Sequence, residues 1–165
     1  MKDRFILSFT LLLLVFSQPL PAFAVSSESE MDMILTSAES VFKSMKSRSY
    51  ALIWGGLSAK SQETIVEDTQ KSLQKSGVSS YTNEQLAVDF SSGAVLAKAY
   101  WDSFLNNFDP DTVLSQSTWK MGPIKNDKAD VIISYKKSEN PAVLKMLREE
   151  GSWKVGLVET FWLRK

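Results

Sequence analysis

The hydrophobic side chains in the first two thirds of the chain recur at helical spacing. Behind a capping box, Ser27–Glu30, apolar residues follow every three or four positions and predict a first helix over about 28–47. A second helix is predicted over about 59–76, because Ser58 suits its N-cap and Gly77 suits a left-handed residue at its end. The N-terminal part of the chain is therefore expected to be helical.

A third helical segment carries a strong aromatic stripe. It begins at a second capping box, Thr82–Gln85, and extends over 82–108 with a candidate interruption at 91–93. The segment 109–111, Asp-Pro-Asp, is expected to stop it. Because the stripe is apolar on one face, we expect Phe104 to be buried between this helix and a sheet. The stripe consists of Ala97, Tyr100, Trp101, Phe104, Leu105 and Phe108.

After Thr112 the apolar positions change to a period of two, which is typical of strands. Four antiparallel strands are predicted, over 113–124, 129–137, 142–149 and 152–162. The third segment also fits a capped helix behind Asn140-Pro141, but a short strand between two others suits a meander. Helices followed by a contiguous antiparallel sheet predict an α+β fold, in which N-terminal helices pack on a curved four-stranded sheet.

The N-terminus has the three parts of a secretory signal peptide. Two basic residues lie among the first four, residues 5–16 form an apolar run, and 22–24 supply the small side chains of a cleavage site. A helix as long as that run reaches about 18 Å, whereas a transmembrane helix must cross about 30 Å of hydrocarbon. We therefore expect 1–24 to be cleaved off after Ala24, and one domain, 25–165, to be exported to the periplasm or secreted.

The absence of cysteine and histidine from the sequence excludes several kinds of chemistry. Without cysteine, the chain forms no disulfide and cannot carry the lipid of a bacterial lipoprotein. Without histidine as well, the usual zinc, copper and iron sites and the Ser-His and Cys-His pairs cannot be built. We expect neither a metal nor a cofactor. The 19 basic and 19 acidic residues balance, which favours neither nucleic acid nor an anionic membrane as a partner.

Four segments together follow a pattern that recurs in a known superfamily. They are the first helix with Ala38-x-x-Val41-Phe42, the apolar turn 50–54, the helix over 97–108, and the unit 148–155, Arg-Glu-Glu-Gly-Ser-Trp-Lys-Val. In these segments the chain resembles the NTF2-like superfamily of cone-shaped α+β domains, over about 30–162. The resemblance implies helices followed by a strongly bent antiparallel sheet, a cystatin-like cone, around an interior pocket. That superfamily includes enzymes, binding proteins and scaffolds, so the resemblance implies a fold and not an activity.

A cone of this kind would place five candidate ligand-binding residues around its interior. Tyr50 and Trp54 would lie at the rim, Trp101 on the helix side, and Tyr135 and Glu159 on the sheet. Glu159 is the least ordinary of them, because the alternation of its neighbours turns it inward and a buried carboxylate needs a partner. The same aromatic residues also suit a filled core, and the two alternatives stay open.

Three functions are compatible with this inventory. The first is a non-catalytic exported domain that binds a small apolar ligand or a protein partner, and the second is an assembly module that self-associates, as in a homodimer, through its sheet face. The third is a histidine-free isomerase or hydrolase, which would need a carboxylate base and oxyanion-holding groups. Its candidate parts are Tyr50, Tyr100, Asp102, Tyr135 and Glu159. These residue types are common at the edge of a core and at the surface, so no residue is assigned a catalytic role.

Overall fold

The structure is a computed structural model that describes residues 27–78 and 80–162, and the predicted signal peptide lies outside them. Within these ranges, seven helices pack against a four-stranded antiparallel sheet, which confirms the predicted α+β class. The helices are α1 (Ser27–Lys46), α2 (Tyr50–Gly55), α3 (Ala59–Lys75), α4 (Asn83–Ser92), α5 (Val95–Leu105), α6 (Pro110–Gln116) and α7 (Leu157–Phe161). The strands are β1 (Ser117–Lys125), β2 (Lys128–Tyr135), β3 (Ala142–Glu149) and β4 (Ser152–Gly156).

Several helices begin or end at residues that are suited to cap a helix. The Ser58 hydroxyl accepts a hydrogen bond from the N–H of Ser61 and caps α3, and Thr82 caps α4 in a complete capping box. Gly93 separates α4 from α5 with a φ of +67°, and a side chain there would crowd the backbone nitrogen of Ala51. The predicted interruption of the third helical segment is therefore confirmed.

The Asp109–Asp111 segment starts a helix, which corrects the prediction that it only stops one and that a strand begins at 113. The Asp109 carboxylate accepts a hydrogen bond from the N–H of Asp111 at 3.0 Å. Pro110 occupies the first helical position, where a missing N–H costs nothing. Helix α6 follows, and the first strand begins only at Ser117.

The last predicted strand is also shorter than expected, because α7 replaces its second half. Strand β4 ends at Gly156 and not near 162. Leu157 and Val158 are both buried, whereas neighbouring residues of a strand point to opposite faces of the sheet. Glu159 consequently lies on a helix and not on the inner face of the sheet.

The sheet is a meander in which each strand pairs with the next in the order β1-β2-β3-β4. The third segment is a strand, as predicted, and not the alternative helix. One face of the sheet packs on the helices and forms a single continuous core with them. Its buried side chains are Ala129, Val131, Ile133, Leu144, Met146, Trp153 and Val155.

Both edges of the sheet are protected from pairing with another chain. On the β4 edge, the N–H of Val155 donates to the oxygen of Gly56 at 2.8 Å, and the N–H of Ser58 donates to the oxygen of Val155 at 2.9 Å. On the β1 edge, the register is irregular around Pro123, which has no N–H to donate. Edges of this kind disfavour edge-to-edge assembly.

Candidate functional site

An open groove lies between the C-terminal half of α5 and the short helix α7. Its volume is about 640 Å³, within the range of small-molecule sites. The side chains that line this α5–α7 groove are Tyr100, Ser103, Phe104, Asn107, Phe108, Phe161 and Trp162. Because five of the seven are aromatic, the groove is the candidate binding site.

A continuous row of aromatic rings supports the α5 wall of the groove. Trp101 is fully buried, and its ring lies 5.1 Å from that of Tyr100 and 5.7 Å from that of Phe104. The Phe104 ring is half-buried and lies 5.3 Å from that of Phe108, which corrects the expectation that Phe104 is buried against the sheet. The core therefore backs this wall and holds it in place. Beyond the groove the row continues through Phe90 to Trp54 and through Phe42 to Trp119.

The α7 wall combines a buried start with exposed rings. The first two residues of α7 are buried, and the Thr160 hydroxyl donates to the oxygen of Gly156 at 2.6 Å. The same hydroxyl accepts a hydrogen bond from the N–H of Lys145 on β3 at 2.9 Å. Phe161 and Trp162 nevertheless keep 46% and 38% of their surfaces exposed. These two rings offer apolar surface that a ligand could cover.

The part of the groove lining that the structure describes is uncharged. Ser103 and Asn107 supply its polar groups together with the Tyr100 hydroxyl. Burial, with a smaller contribution from Asp68, raises the pKa of Tyr100 to about 12. The Tyr100 hydroxyl therefore keeps its proton at neutral pH. This arrangement can hold an uncharged, mainly apolar molecule and can hydrogen-bond one polar end of it.

The structure does not bring the five predicted binding residues together, and none of them lines the α5–α7 groove. Trp54 and Trp101 lie in the core, at 7% and 0% exposure. Tyr50 is half-buried at the start of α2, and its hydroxyl donates to Oδ1 of Asp102 at 2.6 Å. Tyr135 is the last residue of β2. Trp101 supports the groove from behind its α5 wall.

Glu159, the fifth of these residues, lies on α7 and faces the start of α3. Its Oε1 accepts a hydrogen bond from the Ser58 hydroxyl at 2.8 Å, and its Oε2 accepts one from the Ser61 hydroxyl at 2.8 Å. Both serines are fully buried. Glu159 therefore has hydroxyl partners and not the aromatic surroundings that a strand would have given it.

The carboxylate proposed for an isomerase, Asp102, lies outside the groove and is held by cations. A hydrogen bond from Lys98, followed by one from Tyr50, lowers the pKa of Asp102 to about 2. Arg48 also pairs with it. A carboxylate with so low a pKa is a poor general base near neutral pH. The geometry therefore provides no proton-transfer pair around Asp102.

Phe161 and Trp162, the rings of the α7 wall, are not among the predicted binding residues, because the alternation that starts at Trp153 places them on a strand. Phe161 and Trp162 supply two of the five rings in the groove. A signal was present in the sequence: Leu157, Val158 and Phe161 are spaced as on one face of a helix. That spacing competed with the alternation that starts at Trp153.

Comparisons of the chain with protein-family models, with curated proteins and with solved structures found no match. Within 27–78 and 80–162, no group of acidic side chains is arranged to hold a metal ion. Across the same described ranges, no helix has the length and apolar character needed to cross a membrane. The candidate site therefore rests on the geometry and chemistry of the groove.

Proposed function

We propose that this chain is an exported, non-catalytic domain that binds a small, uncharged, mainly apolar ligand in the α5–α7 groove. The observation that carries the proposal is the lining, five aromatic rings with two neutral polar side chains around about 640 Å³. Covering the exposed parts of Phe161 and Trp162 would be favourable, at about 25 cal/mol for each Å² of apolar surface removed from water. A protein partner could use the same rings, but the concave shape and the volume favour a small molecule.

The ionisable groups in and near the groove support binding better than they support catalysis. Tyr100 is the ionisable residue in the described lining, and its raised pKa keeps the hydroxyl neutral. Asp102 is ionised and lies outside the groove. General acid–base catalysis needs a group whose pKa lies near the working pH. The third hypothesis, a histidine-free isomerase or hydrolase, is therefore the least supported.

A fluorescence titration with N-phenyl-1-naphthylamine, a neutral aromatic probe, tests the proposal. We expect saturable binding to the wild-type protein and weaker binding to Phe161→Ala. Tyr81→Ala is a matched control, since Tyr81 is 40% exposed and lies outside the groove. Absence of binding to the wild type, or an equal loss in the Tyr81 variant, would refute the proposal. Native mass spectrometry of protein from its source would show whether an apolar compound copurifies.

Export is part of the proposal and has its own test. It is supported by the order of basic, apolar and small residues in 1–24. The intact mass of the protein recovered from the periplasm or the medium should correspond to a chain that begins at Val25. A full-length chain retained in a membrane fraction would contradict export.

Membership in the NTF2-like superfamily also remains a proposal. It is supported by the order of elements, in which helices precede a four-stranded antiparallel meander over the range of the resemblance. The assembly alternative has less support. Lys145 pairs with Asp130 across neighbouring strands at 2.9 Å, on the face opposite the buried residues, and both edges of the sheet are protected. A charged pair on that face disfavours self-association through it.

A further inference from the structure

We infer that Glu159 is a positioning residue for the α5–α7 groove. Its carboxylate, held by Ser58 and Ser61, fixes α7 and thereby the wall that Phe161 and Trp162 form. The inference rests on the proposed function, because it assigns a role in the same groove.

Ser58, Ser61 and Glu159 form one connected hydrogen-bonded cluster, in which both serines are fully buried. The Ser58 hydroxyl lies 2.8 Å from Oε1 of Glu159 and 2.9 Å from the Ser61 hydroxyl oxygen, and it accepts from the N–H of Ser61 at 3.1 Å. The Ser61 hydroxyl donates to Glu159, and it accepts from the N–H of Val158 at 3.1 Å. Each partner is satisfied, and α7 is attached to α3 through a side chain and through its own backbone.

Helix α7 is attached at two places, to α3 through Glu159 and to β3 through the Thr160 hydroxyl, which accepts from the N–H of Lys145 at 2.9 Å. It has five residues, and an isolated helix that short is not stable in water. Its first residue has no side-chain cap. Phe161 and Trp162 keep 46% and 38% of their surfaces exposed, so packing holds their rings only in part. The polar cluster at Glu159 lies within one turn of both rings, so it is placed to set their position.

Glu149 provides a matched comparison for Glu159. Its Oε2 accepts a hydrogen bond from the N–H of Ala59 at 2.9 Å, so it ties β3 to the same end of α3. That bond does not involve α7. Replacing Glu149 therefore removes a carboxylate from the same helix start and leaves the groove wall attached.

The experiment compares Glu159→Ala, Glu159→Gln and Glu149→Ala in two measurements, the affinity for N-phenyl-1-naphthylamine and the thermal midpoint. We expect Glu159→Ala to weaken the affinity about ten-fold, since the two side-chain hydrogen bonds that tie α7 to α3 are lost. Glu159→Gln keeps one acceptor oxygen and should recover part of that loss. Glu149→Ala should lower the thermal midpoint and keep the affinity within about two-fold of wild type.

Two results would overturn the inference: an unchanged affinity in Glu159→Ala, or an equal loss in Glu149→Ala. Should Glu159→Ala fail to fold, Glu159→Gln and Ser61→Ala carry the same comparison. The indole N–H resonance of Trp162 gives a readout that needs no ligand. It should shift in the Glu159 variants and not in Glu149→Ala, and the reverse pattern would refute the positioning role. Suppose that the wild-type protein binds no probe and that the Trp162 resonance still shifts in the Glu159 variants. This result would refute the proposed function and leave the positioning role of Glu159 intact.

Discussion

Helix α5 and the residues just after it carry aromatic side chains into two different surroundings. Trp101 is fully buried, whereas Phe104 and Phe108 are half-buried and line the groove. The residue types and their spacing are alike, so the difference comes from what lies opposite. The half of the aromatic row around Trp101 packs on α4, where Phe90 meets Tyr100 at 5.4 Å, while α7 stands across an open groove from the half that holds Phe104 and Phe108. An aromatic stripe predicts an apolar face, and the neighbouring element decides whether that face is core or site.

The largest effect should come from the buried half. Trp101→Ala is expected to lower the free energy of unfolding by about 3–5 kcal/mol, because a large side chain leaves a cavity in a packed core. Trp101→Phe should lose less, since it keeps a ring and removes an indole N–H that has no hydrogen-bond partner. Urea denaturation measures both. A loss below about 1 kcal/mol for Trp101→Ala would show that the two halves do not differ.

The groove half should respond less in stability. Phe104→Ala is expected to lower the free energy of unfolding by about 1–2 kcal/mol, because part of its ring is already in water. The same urea series gives the value. A loss as large as that of Trp101→Ala would place Phe104 in the core and remove the contrast between the halves.

The opposite wall should affect binding more than stability. Trp162→Ala is expected to lower the free energy of unfolding by about 1 kcal/mol, because the residue is already 38% exposed and follows the last residue of α7. The affinity for N-phenyl-1-naphthylamine should fall about five-fold or more, since an aromatic contact in the groove is lost. Denaturation and titration of one preparation give both numbers. A variant that loses stability and keeps its affinity would reverse the assignment of core and site.

The smallest effect concerns how α5 is tied to α2 through Asp102. The pKa of Asp102 is lowered to about 2 in the folded protein, so its ionised form stabilises the fold above the ordinary value near 3.8. That contribution is lost as the pH falls through about 2. Asp102→Asn should therefore flatten the fall of the thermal midpoint between about pH 4 and pH 2.

The matched control for this pH series is Asp111→Asn, since Asp111 pairs with one exposed lysine, Lys46. Circular dichroism at each pH gives the thermal midpoints. Superimposable pH curves for the wild-type protein and the Asp102 variant would exclude this role for Asp102.

The sequence predicts the elements whose ends carry a specific residue type. Thr82 and Gly93 bound α4, as expected, because a cap and a left-handed residue act over three or four positions. The Asp-Pro pair at 109–110 was misread because the same two residues can stop one helix and start the next. The strand predicted over residues 157–162 is wrong because their apolar positions fit the spacing of a helix as well as that of a strand. The local sequence pattern cannot choose between a helix and a strand when the segment packs on an element that is distant in the chain.

The groove could not be predicted for a related reason. It is a space between α5 and α7, and it exists only if α7 is a helix held against α3. The contact that holds it joins Ser58 to Glu159, which are 101 residues apart. A pattern read over a window of ten residues carries no information about such a pair. Four of the five predicted aromatic and acidic residues serve the core or its polar contacts instead of the groove.

The bond network between the α2–α3 junction and β4 sets an order of events during synthesis. Lys154 donates to the oxygen of Gly55 from 99 positions along the chain, and Val155 bonds to both Gly56 and Ser58. The helical half cannot adopt its final form until that closing strand has been made, and contacts so distant in sequence slow folding.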